Sequence, residues 1–514
     1  MTGKVEEPMR VKNWEMKEQS DTVEVSADVD GFRLWFRSPK SYPVSRTGDP
    51  FLASALLPAM RQGEKLEFDP RLPVSPKLLR NAFVLQEIFH SWNPEELRMI
   101  PVSAKTSPAE PLNTGAMSFF SGGVDSMYTF LKRKNELSHV VNIYGFDFFF
   151  NSGDASTFSV ADLKDLAHFA WKLMLPVGPV SAYLKGMLSK TTLQTLSNYV
   201  DSGSDPGAVE TSLVEDLNKI ISGQLIYDRK RFAGVNLRPQ TRHFMSRDLK
   251  GEDLSGLNRL LLEDAYPREI SGKYNGAYQT AIERNTCFVQ SFGKTLVPVE
   301  NNHYAFGYRY NLSRNLTQGS ALASVALLLG FPQVYVPSAY TYRQLCPLGS
   351  HPLTDGLWSN ECVEIIHDGC EAGRTDKLKM ICECESALTN LRVCFDNVNI
   401  NCGKCAKCLR TMMPLKLLRA SAAPFPTLPS LKVIRKSRIS DDIETSFFKE
   451  TVDLALQTGD QEMRYALCAC MKRNELLKLL IDLDKVLLGG FIKRAYRRIV
   501  PGIGIRRIDT TPRD

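Results

Sequence analysis

MSFFSGGVDSMYTFLKRK, residues 117–134, decides the fold. MSFF is a short apolar strand, SGGVDS a tight loop, and MYTFLKRK a helix. Chemistry on a nucleotide phosphate needs backbone N–H groups aimed at oxygens and small residues that let the backbone come close. Gly122 and Gly123 give the approach, Val124 adds another N–H, and the helix N-terminus adds positive potential. Ser121 and Ser126 can donate hydroxyls. Asp125 can orient the loop or help to hold Mg²⁺. No lysine follows the glycines, so this is not a Walker A loop. The bland alternative is a Ser/Gly turn that happens to precede a helix.

The same pattern continues outward. VVNIYGFDFFF reads as a second strand ending near Asp147, and a helix follows near residues 160–175. TLVPVE (295–300) and QVYVPS (333–338) are further strands, with SALASVALLLG (320–330) a buried helix closed by Gly330. Apolar strands alternating with helices imply an α/β fold with a mostly parallel sheet. Asp147 sits at a strand end, where such sheets place ligands, although an aspartate there is as readily a turn residue. Asn301, Asn302 and His303 follow the next strand at the same edge and read mainly as turn residues.

Upstream, residues 21–37 read as a hairpin turning at Asp30-Gly31. A short helix follows near 51–60, and Ser75-Pro76 opens another that runs to Trp92. Residues 1–112 are expected to form a small α+β domain and 113–420 the loop-bearing domain, with a helical insertion at about 152–272. Residues 421–514 form a C-terminal helical segment.

The chain has 514 residues, 43% hydrophobic and 24% charged, with a net charge of +7. That composition is globular and excludes collagen-like or disordered classes. The N-terminus is charged and no apolar run approaches the roughly 18 residues of a membrane span, so a cytoplasmic protein is expected. Of 12 cysteines, eight fall between Cys362 and Cys408. Cys394, Cys402, Cys405 and Cys408 give C-x7-C-x2-C-x2-C, a spacing that suits a closed, structural Zn²⁺ site. Gly403 permits the turn, and Lys404, Lys407 and Arg410 would offset thiolate charge.

SGGVDS after the first strand resembles the signature of the PP-loop ATP pyrophosphatases, also called adenine nucleotide alpha-hydrolase-like proteins. The loop together with the downstream cysteines resembles the 7-cyano-7-deazaguanine synthases, over residues of about 115–420 without the insertion. The resemblance implies a Rossmann-like PP-loop domain that binds ATP with Mg²⁺ and adenylates a carboxylate or amide oxygen. Pyrophosphate is released and ammonia displaces AMP. Ser121, Asp125 and Ser126 would be catalytic, and Ser121–Ser126 with Asp147 would hold the nucleotide. No glutaminase cysteine stands at the N-terminus, so free ammonia is the expected donor. Where those synthases carry their base-recognition motif, this chain has PSAYTYRQLCPLGSHPLTDGLWS, which leaves the substrate open. The chain looks more like larger relatives, some in anti-phage gene clusters, that act on other and possibly protein-linked substrates. Proteins of the same operon are then possible partners.

Ser350, His351 and Asp355 lie in that departing loop, where a substrate pocket is expected. His351 can position ammonia or accept a proton; a rigid loop with a capping histidine is the alternative. Arg374 and Lys377 can neutralise a substrate carboxylate or phosphate, or form a solvated basic helix face. A second functional reading is a PP-loop thiolation enzyme acting on tRNA or a small molecule, with Cys346 carrying sulfur. A third is a catalytically silent nucleotide-binding partner. The basic stretch from Lys493 to Arg507 can meet nucleic acid, but a solvated helix end is the plainer reading.

Overall fold

The computed structural model describes residues 8–144, 276–310, 312–394, 400–420, 424–437, 439 and 442–487, with a few helical residues between 191 and 216. Asp147, most of the expected insertion and the basic stretch from Lys493 to Arg507 lie outside the described residues.

The larger of two units holds a ten-stranded, mostly parallel sheet. Its strands in chain order are β1 (Met9–Glu18), β2 (Thr22–Val29), β3 (Phe32–Pro39), β4 (Leu66–Phe68) and β5 (Val102–Ser103). They continue with β6 (Ala116–Phe119), β7 (Leu137–Tyr144), β8 (Thr295–Asn301), β9 (Gln333–Pro337) and β10 (Glu364–Asp368). Their order across the sheet is β10-β9-β6-β7-β8-β3-β2-β1-β4-β5. β10, β9, β6 and β7 run parallel, so their C-terminal ends share one edge. β6 is buried along its whole length, as a central parallel strand must be. Residues 1–112, expected as a separate domain, contribute five strands to this same sheet.

The hairpin forms where its turn chemistry puts it: Asp30 and Gly31 adopt φ of 50° and 74°, and β2 and β3 pair in full register. β1 is an unexpected strand. Its apolar side chains fall at Met9, Val11, Trp14 and Met16, and a register shift between Lys12 and Glu15 breaks the alternation. Asn13, inside that shift, has φ of 53°.

The helices of the N-terminal region are α1 (Asp49–Gln62) and α2 (Pro76–Trp92). Ser75 caps α2 by accepting the Leu78 N–H at 3.1 Å. Its hydroxyl also donates to Glu361 at 2.6 Å, fixing the helix start to a segment 286 residues further along the chain. Burial pushes the Asp49 carboxyl up to about 6, and the Ser75 N–H and the Asn360 amide both donate to it.

Helix α3 (Val124–Arg133) follows the glycine loop. The last residue of β10 clamps it: buried Asp368 accepts from Thr129 (3.1 Å), Lys132 (3.0 Å) and Arg133 (2.9 Å). Further along are α4 (Gly276–Gln290), α5 (His303–Arg309) and α6 (Arg314–Leu329). They precede α7 (Arg374–Cys382), α8 (Glu385–Thr389) and α9 (Ala406–Leu417). The C-terminal helices are α10 (Leu431–Lys436), α11 (Asp442–Thr458) and α12 (Gln461–Leu487). Met463, Ala466, Leu467 and Cys470 of α12 build a small core with Leu454 and with Met413 and Leu417 of α9. The second unit holds α5; there Asn301 accepts the His303 N–H at 2.9 Å, the turn geometry expected of an asparagine at a strand end.

Helix α6 begins six residues earlier than the apolar run alone predicts. Its added turns carry Gly319, which meets Gly349 backbone to backbone. A Cβ at Gly319 would stand 2.0 Å from the Gly349 carbonyl oxygen. The Gly349 N–H donates to the Asn315 carbonyl at 2.8 Å, so this contact places the loop that carries Ser350 and His351. Gly319→Ala should therefore cost about 1–3 kcal/mol, as overpacking does. A lowered Tm, with altered near-ultraviolet dichroism, would register it; an unchanged Tm would show that the loop yields freely.

Candidate functional site: a glycine loop ringed by cations

The loop Ser121–Ser126 leaves β6 at the shared C-terminal edge, where open parallel sheets bind ligands. Gly122 has φ of +78°, and a Cβ there would meet the Asn285 Oδ1 at 3.0 Å. Its carbonyl accepts the Arg392 N–H at 2.8 Å. The Ser126 hydroxyl donates to the Gly123 carbonyl at 3.2 Å and accepts the Ser121 N–H at 3.3 Å. Gly123, the residue before α3, supplies no capping side chain, which leaves the helix N-terminus open to an anion. Val124 is buried in the core with Phe120, Phe130 and Phe288, so only its backbone is on offer to a ligand.

Asp125 does something more specific than the sequence could say. The Lys377 ammonium lies 3.0 Å from its carboxylate and the Arg374 guanidinium 3.8 Å. Burial works against the carboxylate's charge, but Lys377 and Arg374 outweigh it and hold the carboxyl below the usual range. Two cations thus engage this carboxylate and tie the loop to α7. Arg374 and Lys377 are not a solvated face. They are 6% and 1% exposed, and Lys377 also donates to the Ser338 carbonyl at 2.6 Å.

Four side-chain cations among the described residues stand near the loop. Arg284 lies on the Gly122 side, where Arg392 approaches only by its N–H and Cβ while its guanidinium donates to Asn401 at 2.6 Å. Arg374, Lys377 and Arg410 stand on the Asp125 side. Burial first, and then the charge of Arg392, bring Arg284 down to about 10. Arg374 falls equally, through burial and then Arg410. Both stay charged at neutral pH. The Nε atoms of Arg374 and Arg410 and the Nδ2 of Asn285 are buried with no hydrogen-bond partner. Buried donors without acceptors are costly, and these three are closed off from the loop's open side by the packing around them. Phe447 of α11 lies under both the Arg374 and Arg410 guanidiniums, at 5.6 and 4.8 Å. That contribution from the C-terminal segment has no signature in sequence.

The four cysteines converge as their spacing predicts. Their sulfurs all lie within 4.8 Å of one another, and two pairs are 3.9 Å apart. A tetrahedron with metal–sulfur bonds of about 2.3 Å has edges of about 3.8 Å, so the cluster fits zinc and is too open for disulfides. Backbone N–H groups of Lys404 and Cys405 point at the Cys402 sulfur (3.4 and 3.3 Å), and that of Cys408 at Cys405 (3.4 Å). Such donors stabilise thiolates. Gly403 turns at φ of +70°, against Pro426. Arg410, expected to offset thiolate charge, faces the Phe447 ring and the Asp125 side of the loop instead. Arg392 and Arg410 flank the cluster in sequence; Arg410 faces the loop's Asp125 side, whereas the Arg392 guanidinium stays with Asn401.

A cleft of about 480 Å³, its open mouth included, lies beyond the end of β9. Ser338, Cys346, Ser350, His351 and His367 help to line it. Asp355 organises this wall. It accepts from the Ser350 hydroxyl (2.8 Å) and the His351 N–H (3.2 Å), and its carboxylate lies 2.7 Å from the His367 Nδ1. His351 is held neutral by burial and by the charge of His367. Its Nδ1 accepts the Leu353 N–H at 3.0 Å, so the neutral ring carries its proton on Nε2. His351 is therefore a hydrogen-bond donor, and the proton-accepting role open to it in sequence is closed. His367 was missed by sequence reading; its one signal is its position at a strand's C-terminal end.

Replacing Cys402 with serine should abolish zinc retention, read by elemental analysis, and lower Tm. Because the Arg392 N–H holds the Gly122 carbonyl, any affinity of the loop for inorganic pyrophosphate, used as an anionic probe, should weaken too, read by calorimetry. Intact pyrophosphate affinity in the metal-free variant would separate the two sites.

Among known protein families, curated proteins and solved structures, none matches this chain.

Proposed function

We propose that this chain is an ATP-dependent ligase that adenylates an oxygen of its substrate. The observation carrying this reading is an SGGVDS loop at a parallel sheet's C-terminal edge, before an uncapped helix N-terminus and beside buried Arg374 and Lys377. A polyphosphate would offset that positive potential. Backbone N–H groups of the loop, with the Ser121 and Ser126 hydroxyls, bind the pyrophosphate portion of ATP. The cations around them stabilise the negative charge that develops as pyrophosphate departs, from groups already in place. Asp125 fixes Lys377 in that ring. Magnesium enters on the phosphates, and zinc at the four cysteines supplies rigidity, not chemistry.

The substrate lies in the cleft beyond β9. Its carboxylate or amide oxygen attacks the α-phosphorus. A nitrogen nucleophile, with free ammonia the simplest, then displaces AMP. The lining is mixed: Asn315, Gln318, Ser338 and the two histidines offer polar groups beside Leu345 and Leu348. That suits a substrate with several polar edges, in keeping with a deazaguanine or a related, possibly protein-linked, molecule.

The test is incubation of the full chain with ATP, Mg²⁺, ammonium and 7-carboxy-7-deazaguanine, following pyrophosphate and product mass. Pyrophosphate release with an amide or nitrile product is expected. Lys377→Ala and Asp125→Asn should each reduce release by about a hundredfold, the scale of losing one preorganised charge at a reacting centre. Undiminished release in both variants would remove the loop from the chemistry.

A further inference from the structure

The positive charge of this chain is concentrated. Residues 397–440 carry nine lysines and arginines and no aspartate or glutamate, more positive charge than the net +7 of the whole chain. The run begins inside the metal knuckle and ends after α10. Arg410 is turned inward, toward Phe447 and the Asp125 side of the glycine loop. Lys404, Lys416, Arg419, Lys432, Arg435 and Lys436 are exposed instead.

Helix α10 shows how the fold gathers some of them. Its Ile434 is buried in one core with Met463, Ala466 and Leu467 of α12, while Lys432, Val433, Arg435 and Lys436 face outward. The Arg473 guanidinium of α12 donates to the Lys436 carbonyl at 3.2 Å, which brings a fourth cation to the same place. The Arg435 guanidinium lies over the Tyr465 ring of α12, 5.0 Å from its centre, and that tyrosine is 65% exposed. Among the described residues, none of these four cations is paired with a carboxylate. Like charges gathered without acids repel one another, so this surface gains when a polyanion covers it.

Two features choose the polyanion. Cations along one face meet the phosphates of a nucleic-acid backbone, and an open tyrosine ring beside an arginine offers a flat face to a base. Bases of a duplex are already stacked on one another, so only an unpaired strand can use that ring. A membrane surface would need apolar side chains turned outward as a stripe. The outer face of α10 has three cations to one apolar residue, Val433.

We propose that α10 and the adjoining face of α12 form a docking surface for single-stranded nucleic acid, with Lys432, Arg435, Lys436 and Arg473 on phosphates and Tyr465 stacked on a base. The surface uses none of the residues placed around the glycine loop, so it stands whether or not the chain adenylates a substrate. It is also distinct in sequence from the basic stretch between Lys493 and Arg507.

The test is fluorescence anisotropy with the full chain and labelled oligomers of about 16 nucleotides, RNA and DNA, each single-stranded and duplex. At least one single strand should bind more tightly than its duplex, and its sugar identifies the source. Combined Lys432→Gln, Arg435→Gln and Lys436→Gln should weaken that binding at least about tenfold at about 0.1 M salt. The slope of log K against log salt should flatten by about 2, from roughly 0.7 for each lost phosphate contact. Tyr465→Ala should weaken binding at least about fivefold and leave the slope unchanged. All four side chains are exposed, so Tm should hold in both variants. A further variant, with the six basic residues between Lys493 and Arg507 changed to glutamine, keeps the two surfaces apart. Full affinity in the α10 variant, with the loss confined to this last one, would overturn the proposal. So would duplex bound as tightly as single strand, absence of binding to any oligomer, or a preference for phosphatidylserine vesicles over every oligomer.

Discussion

One buried ammonium holds the working edge of the sheet together. Lys377 is 1% exposed, and its two bonds reach Asp125 in the loop after β6 and the Ser338 carbonyl after β9. Taking a charge out of water costs several kcal/mol, and only good partners offset it. Here the partners come from two adjacent parallel strands, and the lysine itself from α7, which follows the third. The pair thus fixes three loops that leave neighbouring strands at the same edge. Asp368 does the complementary work a few residues away, tying α3 to the end of β10 through Thr129, Lys132 and Arg133. Between them, the two buried charges decide where the open N-terminus of α3 points.

The metal knuckle belongs to the same construction. Its cysteines lie in a loop that leads into α9; Arg410 on α9 turns toward the Asp125 side of the glycine loop, and the Arg392 N–H donates to the Gly122 carbonyl. A closed four-sulfur site offers no position for a reacting molecule, but with metal bound it would be a stiff mount. It would then hold both attachments in place without a large core beneath them. Phe447 adds a flat surface under both Arg374 and Arg410, so the C-terminal helices help to hold the cations although they contribute no hydrogen bond to the loop.

Legibility in sequence followed the range of each interaction. The hairpin, the Ser75 cap, the strand–loop–helix and the cysteine cluster are set by neighbours within a few residues, and their chemistry can be read directly. β1 was hidden because its register shift moves the apolar residues from odd to even positions. Arg374 and Lys377 are the instructive case. The buried positions of α7 include 374, 377, 378 and 381, the spacing of an inward helix face, with two cations in place of apolar residues. Composition suggested a solvated face; periodicity pointed inward. The cleft residues were less accessible. Ser350, His351 and Asp355 were visible as a group, but His367 joins them only through the pairing of β10 with β9, a register that no local pattern carries.

Ser338 shows why these parts form one site and not three. Its N–H donates to the Asp368 carbonyl at 2.8 Å, its carbonyl accepts from Lys377, and its hydroxyl accepts from Cys370. Every polar group of this buried residue is thereby committed, each to a different part of the edge. A residue fixed at three points is a distance standard. The span from Lys377 to the Cys370 sulfur is set by a single backbone unit and one short side chain, with no rotatable linker to lengthen it. Chemistry divided between the loop and the cleft would need that kind of fixed spacing. A serine at 338 provides it because it is small enough to be buried and polar at both ends.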